Sequence, residues 1–563
     1  MEVTPVMADE ATPQDVAASD SVQLEFPTGS MDDAVETTLP MADEATPQGV
    51  AASNSLELEL PTVPRSLDET IELCIGSFGW AQFFQAVLVS LSGVFDAQQT
   101  FMTVFTDSEP SWHCTKGDSI CRKPVSDICK LPDKAWSWDV SRQASVVSEW
   151  GLECDGSFIK GLPGSAFFLG CLIGGLLLSS LADSCLGRKR TLLLSCLVMA
   201  ISTLLAAFSP NVWVYSVLRF MSGFGRATIG TCAVVLATEL VGKKWRGRVG
   251  ILSFFGFMVG FLSLPAMAYV NQGKSWRNLY LWTSIATIVY CGLVQLFLLE
   301  SPRWLLIRGR KDEAVSIITK LSFNPMNLAE IATRFSGIPE EEGQTRNVSI
   351  YDAVRMLVHK PWALKRLAAV MLVAFGVGLV YYGMPLALST VKFNIYLSAA
   401  FNACMDLPAN LITLFLVDRI NRRGAVIGFT TLGGFSSFAI FVLRRLGNHN
   451  GAIQLAFELV AYFSACSCFN IELIYIIELF PTSVRNSAVA MARQALVVAG
   501  VFSPIMVAAG TTTNGLWSFG LFGIAIGSLG LFAIVLPETR GTHLSDTMEE
   551  EENKRSTRRS DMI

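Results

Sequence analysis

The sequence predicts an all-α integral membrane protein of about twelve transmembrane helices, arranged as two six-helix pseudo-repeats. Three observations predict it. Apolar runs of about 20 residues, the length a helix needs to cross hydrocarbon, recur from Phe78 to Leu536 with short polar breaks. Of the 563 residues, 51% are hydrophobic and only 16% charged, more apolar surface than a soluble domain can hide. Charged residues that punctuate the helix ends of the first half return in the second at nearly constant offset.

The chain opens on an acidic arm, 1–65. Its first 64 residues hold 13 Asp or Glu and no Lys or Arg, so a chain of formal charge -5 carries +8 after them. Residues 7–28 return as 41–62, a tandem duplication with a period of 34. Two copies build no solenoid, and an acidic stretch whose one aromatic is Phe26 predicts disorder. No positive charge precedes an apolar run there, so the arm is not a cleaved signal and the first helix is expected to target the chain. Order is expected from Ser66, where Ser66 and Glu69 have the spacing of a capping box that starts a leader helix.

Helix 1 is expected from Phe78 to Phe105 and helix 2 from Leu162 to Leu181, within a first bundle at 66–300. Between them runs a polar loop, 108–158, holding Cys114, Cys121, Cys129 and Cys154. Four cysteines allow three disulfide pairings, which the sequence leaves open, and the chemistry requires an oxidising compartment. Lys and Arg cluster in alternate loops, at 188–190, 243–248, 303–360, 419–423 and Arg485. The positive-inside rule puts those loops and both termini in the cytosol and the cysteine loop on the other side, as disulfides demand. A cytosolic connector at 301–361 separates a second bundle at 362–537, which ends in a cytosolic tail at 538–563. The sequon at Asn347 falls in that connector, out of reach of glycosylation.

Asp183 with Arg188 recurs as Asp418 with Arg422 at an offset of 235. Glu239 and Arg246 recur as Glu478 and Arg485 at 239, and Glu300 and Arg303 as Glu538 and Arg540 at 238. A charge at a helix end is partly desolvated, so each acid is expected to find a base on a neighbouring helix. These twelve residues are the candidate cytosolic gate, latches that break when the bundles rock.

Several stretches are similar to the major facilitator superfamily and, within it, to the organic cation and carnitine transporters of plant type. They are Ser148 to Cys154 (SEWGLEC), LADSCLGRKR at 181–190, ESPRWLL at 300–306, ELFPTSVRN at 478–486 and LPETRG at 536–541. The resemblance covers about Ser66 to Glu551. ESPRW and PETRG also occur in sugar porters, whereas the Glu-Trp-Gly-Leu-Glu-Cys and ELFPTSVRN stretches resemble the organic ion branch. The chain departs from the pattern twice: the turn after Asp183 is one residue longer, and Asn421 stands where the family commonly has Gly.

A permeating cation needs carboxylates and aromatic faces near the midplane to replace its water. Candidate acids are Asp96, Asp406, Glu458 and Glu472, with Gln98 beside the first. The resemblance implies that Asp406, in Asp-Leu-Pro, and Tyr381, in Val-Tyr-Tyr-Gly, line the substrate cavity. The alternative for Asp406 is a packing acid bonded to Asn402 or Asn410. Asp96 is open to substrate binding, to carrying a proton, or to pairing with Arg493. Glu458, nearer a helix end, is expected to be solvated. In helix 11 the relatives' charge-selectivity position is Val497, and Arg493 lies one turn earlier; with Asp406 it would suit a zwitterion such as carnitine.

Gly223-x-Gly225-Arg226 superficially resembles a nucleotide loop, but it lacks the Lys and lies in an apolar run, so it predicts close helix packing. No metal-ligand spacing, cofactor motif or catalytic constellation stands out. The expectation is a transporter, not an enzyme, working by alternating access in the plasma or vacuolar membrane. Its partners are a small organic cation or zwitterion, the bilayer and a coupling proton or sodium ion, with no nucleic acid. Rivals are a sugar transporter, kept open by Gln98 and Gln99, an organic anion transporter, and a receptor on the same scaffold.

Overall fold

The computed structural model describes residues 71–560 apart from 73, 116–120, 122–127, 133, 184–185, 323–349, 392, 417–418, 449, 513–516 and 542–544. The duplicated arm, the Ser66 capping box, the Asn347 sequon, Asp418 and the side chain of Asp183 lie outside the described residues.

Twelve long helices make up the body among the described residues. In the first half these are α1 (Trp80–Phe101), α2 (Ser157–Asp183), α3 (Arg188–Ala206), α4 (Val212–Glu239), α5 (Lys243–Val270) and α6 (Arg277–Phe297). The second half has α7 (Pro361–Ala387), α8 (Ile395–Leu416), α9 (Arg422–Arg445), α10 (Gly451–Leu479), α11 (Thr482–Thr512) and α12 (Trp517–Gly530). Ten satisfy the length and apolarity needed for a membrane span. The other two, α1 and α8, carry Asp96, Gln98 and Gln99, and Asn402, Asp406 and Asn410. Two boundaries differ from expectation. The first helix breaks at Met102 before a short turn, Thr103–Thr106, and α2 starts at Ser157 because a mixed turn, Ser157 to Lys160, continues the helix beyond the apolar run.

The packing repeats with a shift of six helices. In the first half α1 packs on α5, α2 on α4, α3 on α6 and α3 on α4; in the second α7 packs on α11, α8 on α10, α9 on α12 and α9 on α10. The two halves meet through α2 against α11 and α5 against α8, and adding six exchanges these contacts. That is the pattern of two parallel repeats about a pseudo-twofold axis between them.

Lipid tails offer no hydrophobic drive for helices to associate, so backbones must come close enough for dispersion to act. At Gly223 of α4 an added Cβ would lie 1.9 Å from the Phe167 carbonyl oxygen of α2, so no larger residue fits. The glycine run in α4 is a packing surface, against α2 at Gly223 and against α3 at Gly225.

The 108–158 loop folds as a small cap. Strands β1 (Trp112–Cys114) and β2 (Trp136–Trp138) pair antiparallel, with Cys114 opposite Trp136. Of the three pairings open to the sequence, the structure forms Cys114–Cys121 and Cys129–Cys154. The Glu-Trp-Gly stretch then anchors the cap on α6. Glu149 accepts from Arg277 Nη2 at 2.9 Å and from Trp276 Nε1 at 2.5 Å, and Trp150 packs edge-on against Tyr215 and Trp276. Gly151 ends that turn at φ 66°, where only glycine is unstrained.

Gly223→Val is expected to destabilise the protein by about 1–3 kcal/mol through overpacking. Gly250→Val, where an added Cβ meets nothing within 4 Å, is the control. Thermal melting of the two purified variants checks this.

Candidate functional site

Aromatic side chains from both halves converge in the middle of the body. Tyr381 of α7 stacks on Tyr462 of α10 with centroids 5.7 Å apart, and lies 6.0 Å from Phe469 and 6.4 Å from Phe101 of α1. Phe101 stacks on Phe261 of α5 at 4.0 Å, and Phe261 meets Tyr462 edge-on at 6.4 Å. Beside this cluster Asp406 of α8 is 7% exposed. Its Oδ1 accepts from Cys466 Sγ at 3.1 Å, and among the described residues no Lys or Arg pairs with it. Neither asparagine offered by the packing alternative holds its carboxylate: Asn410 donates to its backbone oxygen, and Asn402 turns to Glu458.

Asp96 does not pair with Arg493 as one expectation had it. Its Oδ1 accepts from Nε of Arg226, whose guanidinium also reaches Cys171 Sγ at 3.8 Å. Arg226 lies at the end of the first segment of α4, Val212–Arg226, and the sequence reading missed it among the glycines. An arginine in the middle of an apolar run, far from a basic loop, was the available signal. Arg493 of α11 is exposed, and with the buried Glu472 of α10 it lines a small cavity against α7. Glu472 Oε1 has no hydrogen-bond partner among the described residues. Gln98 donates to Ser263 Oγ at 2.8 Å, its Oε1 having no partner among the described residues, and Gln99 donates to Thr283 Oγ1 at 3.2 Å and accepts from Thr203 Oγ1 at 3.1 Å.

Glu458 is a correction. The sequence placed it near a helix end and solvated; it is fully buried, and Asn402 Nδ2 donates to its Oε2 at 3.1 Å. Helix α10 is 29 residues long, and the packed α8 covers it at this depth.

The helix-end charges form two matching sets at the end of the body that carries the basic loops. Arg188 Nε lies 3.5 Å from Glu239 in the first half; Arg422 Nη2 lies 3.1 Å from Glu478 in the second. Glu300 Oε1 accepts from the backbone N–H of Arg188 and Lys189, each at 3.0 Å, and Glu538 accepts from those of Arg422 at 2.8 Å and Arg423 at 3.2 Å. Each carboxylate caps the positive N-terminus of a helix. Gly187 must be glycine, since its φ is 82° and an added Cβ would lie 2.6 Å from Glu300 Oε2. Asn421 replaces it without loss because that position has φ -62°. Among the described residues Arg246 and Arg485 stand apart from the acids: Arg485 Nε donates to the Phe480 carbonyl, and Arg246 Nε is buried with no hydrogen-bond partner. Arg303 lies in the first turn of the helix Pro302–Ile307, and the Arg540 N–H donates to Glu538. Among the described residues these pairs link helices of one half; none bridges the two.

At the disulfide end the halves press together. An added Cβ on Gly161 of α2 would lie 2.7 Å from Ile505 of α11, and Ser165 Oγ donates to the Val501 carbonyl at 2.6 Å. Above that contact opens a cavity of about 500 Å³ lined by Thr103, Asp107, Glu109 and Lys160. Tyr215 OH and Thr106 Oγ1 donate to Asp107 at 2.9 and 2.8 Å. Burial pushes the Asp107 carboxyl up to about 6, opposed by the nearby Arg219 guanidinium.

The sugar (and other) transporter family matches residues 86–550. Organic cation/carnitine transporter 2 of Arabidopsis thaliana is 69% identical over 87% of this chain and 94% of its own length; organic cation/carnitine transporter 3 of the same plant is 59% identical over 88% and 95%. In fold the chain is similar to a partially occluded inward-open form of the xylose transporter XylE from E. coli. The TM-score is 0.59 at 17% identity, covering 83% of this chain and 100% of that one.

Arg226→Met strands the Asp96 carboxylate and is expected to cost about 3–5 kcal/mol, whereas adding Asp96→Asn to it restores most of that loss; melting and surface expression of the three forms read it out. The raised Asp107 carboxyl gives a second expectation. Between its ordinary value of 3.8 and about 6, the folded protein holds more protons than the unfolded chain. Stability therefore falls as pH rises through that window, and Asp107→Asn should flatten the slope in a melting series across it.

Proposed function

Because the chain belongs to the sugar (and other) transporter family, and within it to the organic cation/carnitine transporters, we propose that this membrane transporter moves an organic cation or a zwitterion such as carnitine by alternating access. The observation that carries the substrate reading is Asp406: a buried carboxylate with no basic partner among the described residues, beside stacked aromatic rings drawn from both halves. A quaternary ammonium has no proton to donate, so charge and aromatic faces are what it can use, and the cluster supplies both. Glu472 adds a second unpaired acid, and Arg493 supplies the opposite charge that the carboxylate of a zwitterion needs. Asp96, held by Arg226, serves as a neutral pair rather than as substrate ligand. The sugar alternative loses support, because Gln98 and Gln99 already bond to neighbouring helices.

The closed disulfide end and the exposed Arg493 support an inward-facing arrangement in which the basic loops and both ends of the chain lie in the cytosol. The disulfide cap then faces the exoplasm or a vacuolar lumen. The helix-end pairs brace each half as a rigid body, and motion falls on the contacts of α2 with α11 and α5 with α8.

Uptake of labelled carnitine, choline and a bulkier quaternary amine by cells expressing the chain tests this reading. Asp406→Asn at matched surface level should lower saturable uptake at least about tenfold, equivalent to ~1.4 kcal/mol. Arg493→Gln should lower carnitine uptake more than choline uptake. Uptake of glucose or an organic anion in place of all three would overturn the substrate class.

A further inference from the structure

Helices α8 and α10 are joined by a polar seam that the substrate reading does not use in full. Asn402, Asp406 and Asn410 follow one another a turn apart on α8. Asn402 bonds Glu458 at 3.1 Å, Asp406 bonds Cys466 at 3.1 Å, and Asn410 bonds Asn470 at 2.9 Å. The outermost rung is the anomaly. Glu458 and Asn402 are both fully buried, yet Glu458 Oε1 and Asn402 Oδ1 have no hydrogen-bond partner among the described residues.

An ionised carboxylate has only acceptors. Facing one amide it gains a single bond, from Asn402 Nδ2 to Oε2, and leaves two buried acceptors unsatisfied, each costing about 1–3 kcal/mol. One proton on the carboxyl gives Glu458 the missing donor. The amide carbonyl of Asn402, already held by the bond on its other atom, is the neighbouring orphan acceptor. Rotating the amide about its axis does not remove the need, since its oxygen would then face a carboxylate oxygen. Among the described residues no fixed charge takes the proton's place. The one charged residue of α8 is the acid Asp406, beside the titratable Tyr396 and Cys404; α10 contributes Tyr462 and Cys466, and α7 contributes Tyr381, stacked on Tyr462. On α9, Arg444 donates to Gln454 Oε1 at 2.9 Å and to the Thr390 carbonyl at 2.7 Å. The middle and far end of α5, from Val249 to Val270, contain no charged residue.

We propose that Glu458 and Asn402 form a proton-binding site, occupied in this arrangement, whose loading and release couple transport to a pH gradient. The coupling half of this proposal rests on the transport reading above; the proton itself does not. The proton comes from water on one side and returns to water on the other, with no other bond made or broken. The site is separate from the Asp96–Arg226 pair, where the carboxylate already has a positive partner. When α8 and α10 shift and water reaches the rung, the carboxylate gains other donors and lets the proton go.

Infrared difference spectra of the purified full-length protein and Glu458→Gln test the site directly. The amide introduced by Glu458→Gln can both donate to and accept from Asn402 without a charge, so the variant is expected to fold. The wild type should show the C=O band of a buried protonated carboxyl that Glu458→Gln lacks, and Asn402→Ala should shift or abolish it. An identical band in Glu458→Gln overturns the site. In proteoliposomes, one coupled proton makes steady-state accumulation of labelled choline or carnitine change about tenfold per unit of imposed pH gradient. Glu458→Gln should still exchange substrate but lose that dependence. Equal dependence in both proteins, or none in the wild type, overturns the coupling. A wild type that carries neither compound instead defeats the transport reading, and the infrared band still decides the proton.

Discussion

Inside a bilayer there is no water to answer a charge or an unpaired polar atom, so the protein must answer it from its own side chains. That constraint sorts the acids of this chain into two kinds. Asp96 is answered in full by Arg226, and the acids of the helix ends by arginines and helix N-termini. Asp406, Glu458 and Glu472 are not, and all three lie on α8 or α10. What the protein leaves unanswered a cation from outside can complete, as we propose for an organic cation at Asp406 and a proton at Glu458. The two kinds also differ in placement: the answered acids hold structure together, Asp406 and Glu458 lie where α8 and α10 face each other, and Glu472 faces α7 and α11.

The same economy governs how the halves are built and joined. Glu300 and Glu538 each tie the end of the last helix of a half to the start of its third, and the Arg188–Glu239 and Arg422–Glu478 pairs tie the third to the fourth. Each half is thereby braced at the end with the basic loops. Between halves the contacts are of another sort: small residues and backbone oxygens at α2 and α11, with one side-chain hydroxyl to a carbonyl. Among the described residues such surfaces carry no ion pair that must be broken before they part. The device that the sequence offers as a lock between halves is in this arrangement a brace within each, and that leaves the halves able to rock as units.

Outside the membrane body, order depends on covalent and ionic staples. The cap between α1 and α2 has a two-stranded ribbon and a few short helical turns; two disulfides cross-link it internally, and the Glu149–Arg277 pair holds it to α6. At the opposite end the helix Met548–Ser560 is tied back to α7 by Arg366 and Glu551 at 2.8 Å.

The sequence by itself determined the number and order of the helices, the division into two halves and the residue types of the helix-end charges. Apolar runs and charge spacing are local properties, and a repeat offset needs no coordinates to be seen. It also named Asp406 and Tyr381, through resemblance. It did not determine which groups meet. Asp96 chose Arg226 over Arg493, Asn402 chose Glu458 over Asp406, and the four loop cysteines chose one of three pairings. Glu458 looked solvated because distance from a helix end in sequence says nothing of what packs over that end. Asn421 departs from the family's glycine, and only its backbone, at φ -62°, shows that no glycine is needed there. Partnership and burial depend on the rotation of each helix about its axis and on the neighbour it faces. Tertiary packing sets both, so only the structure could decide them.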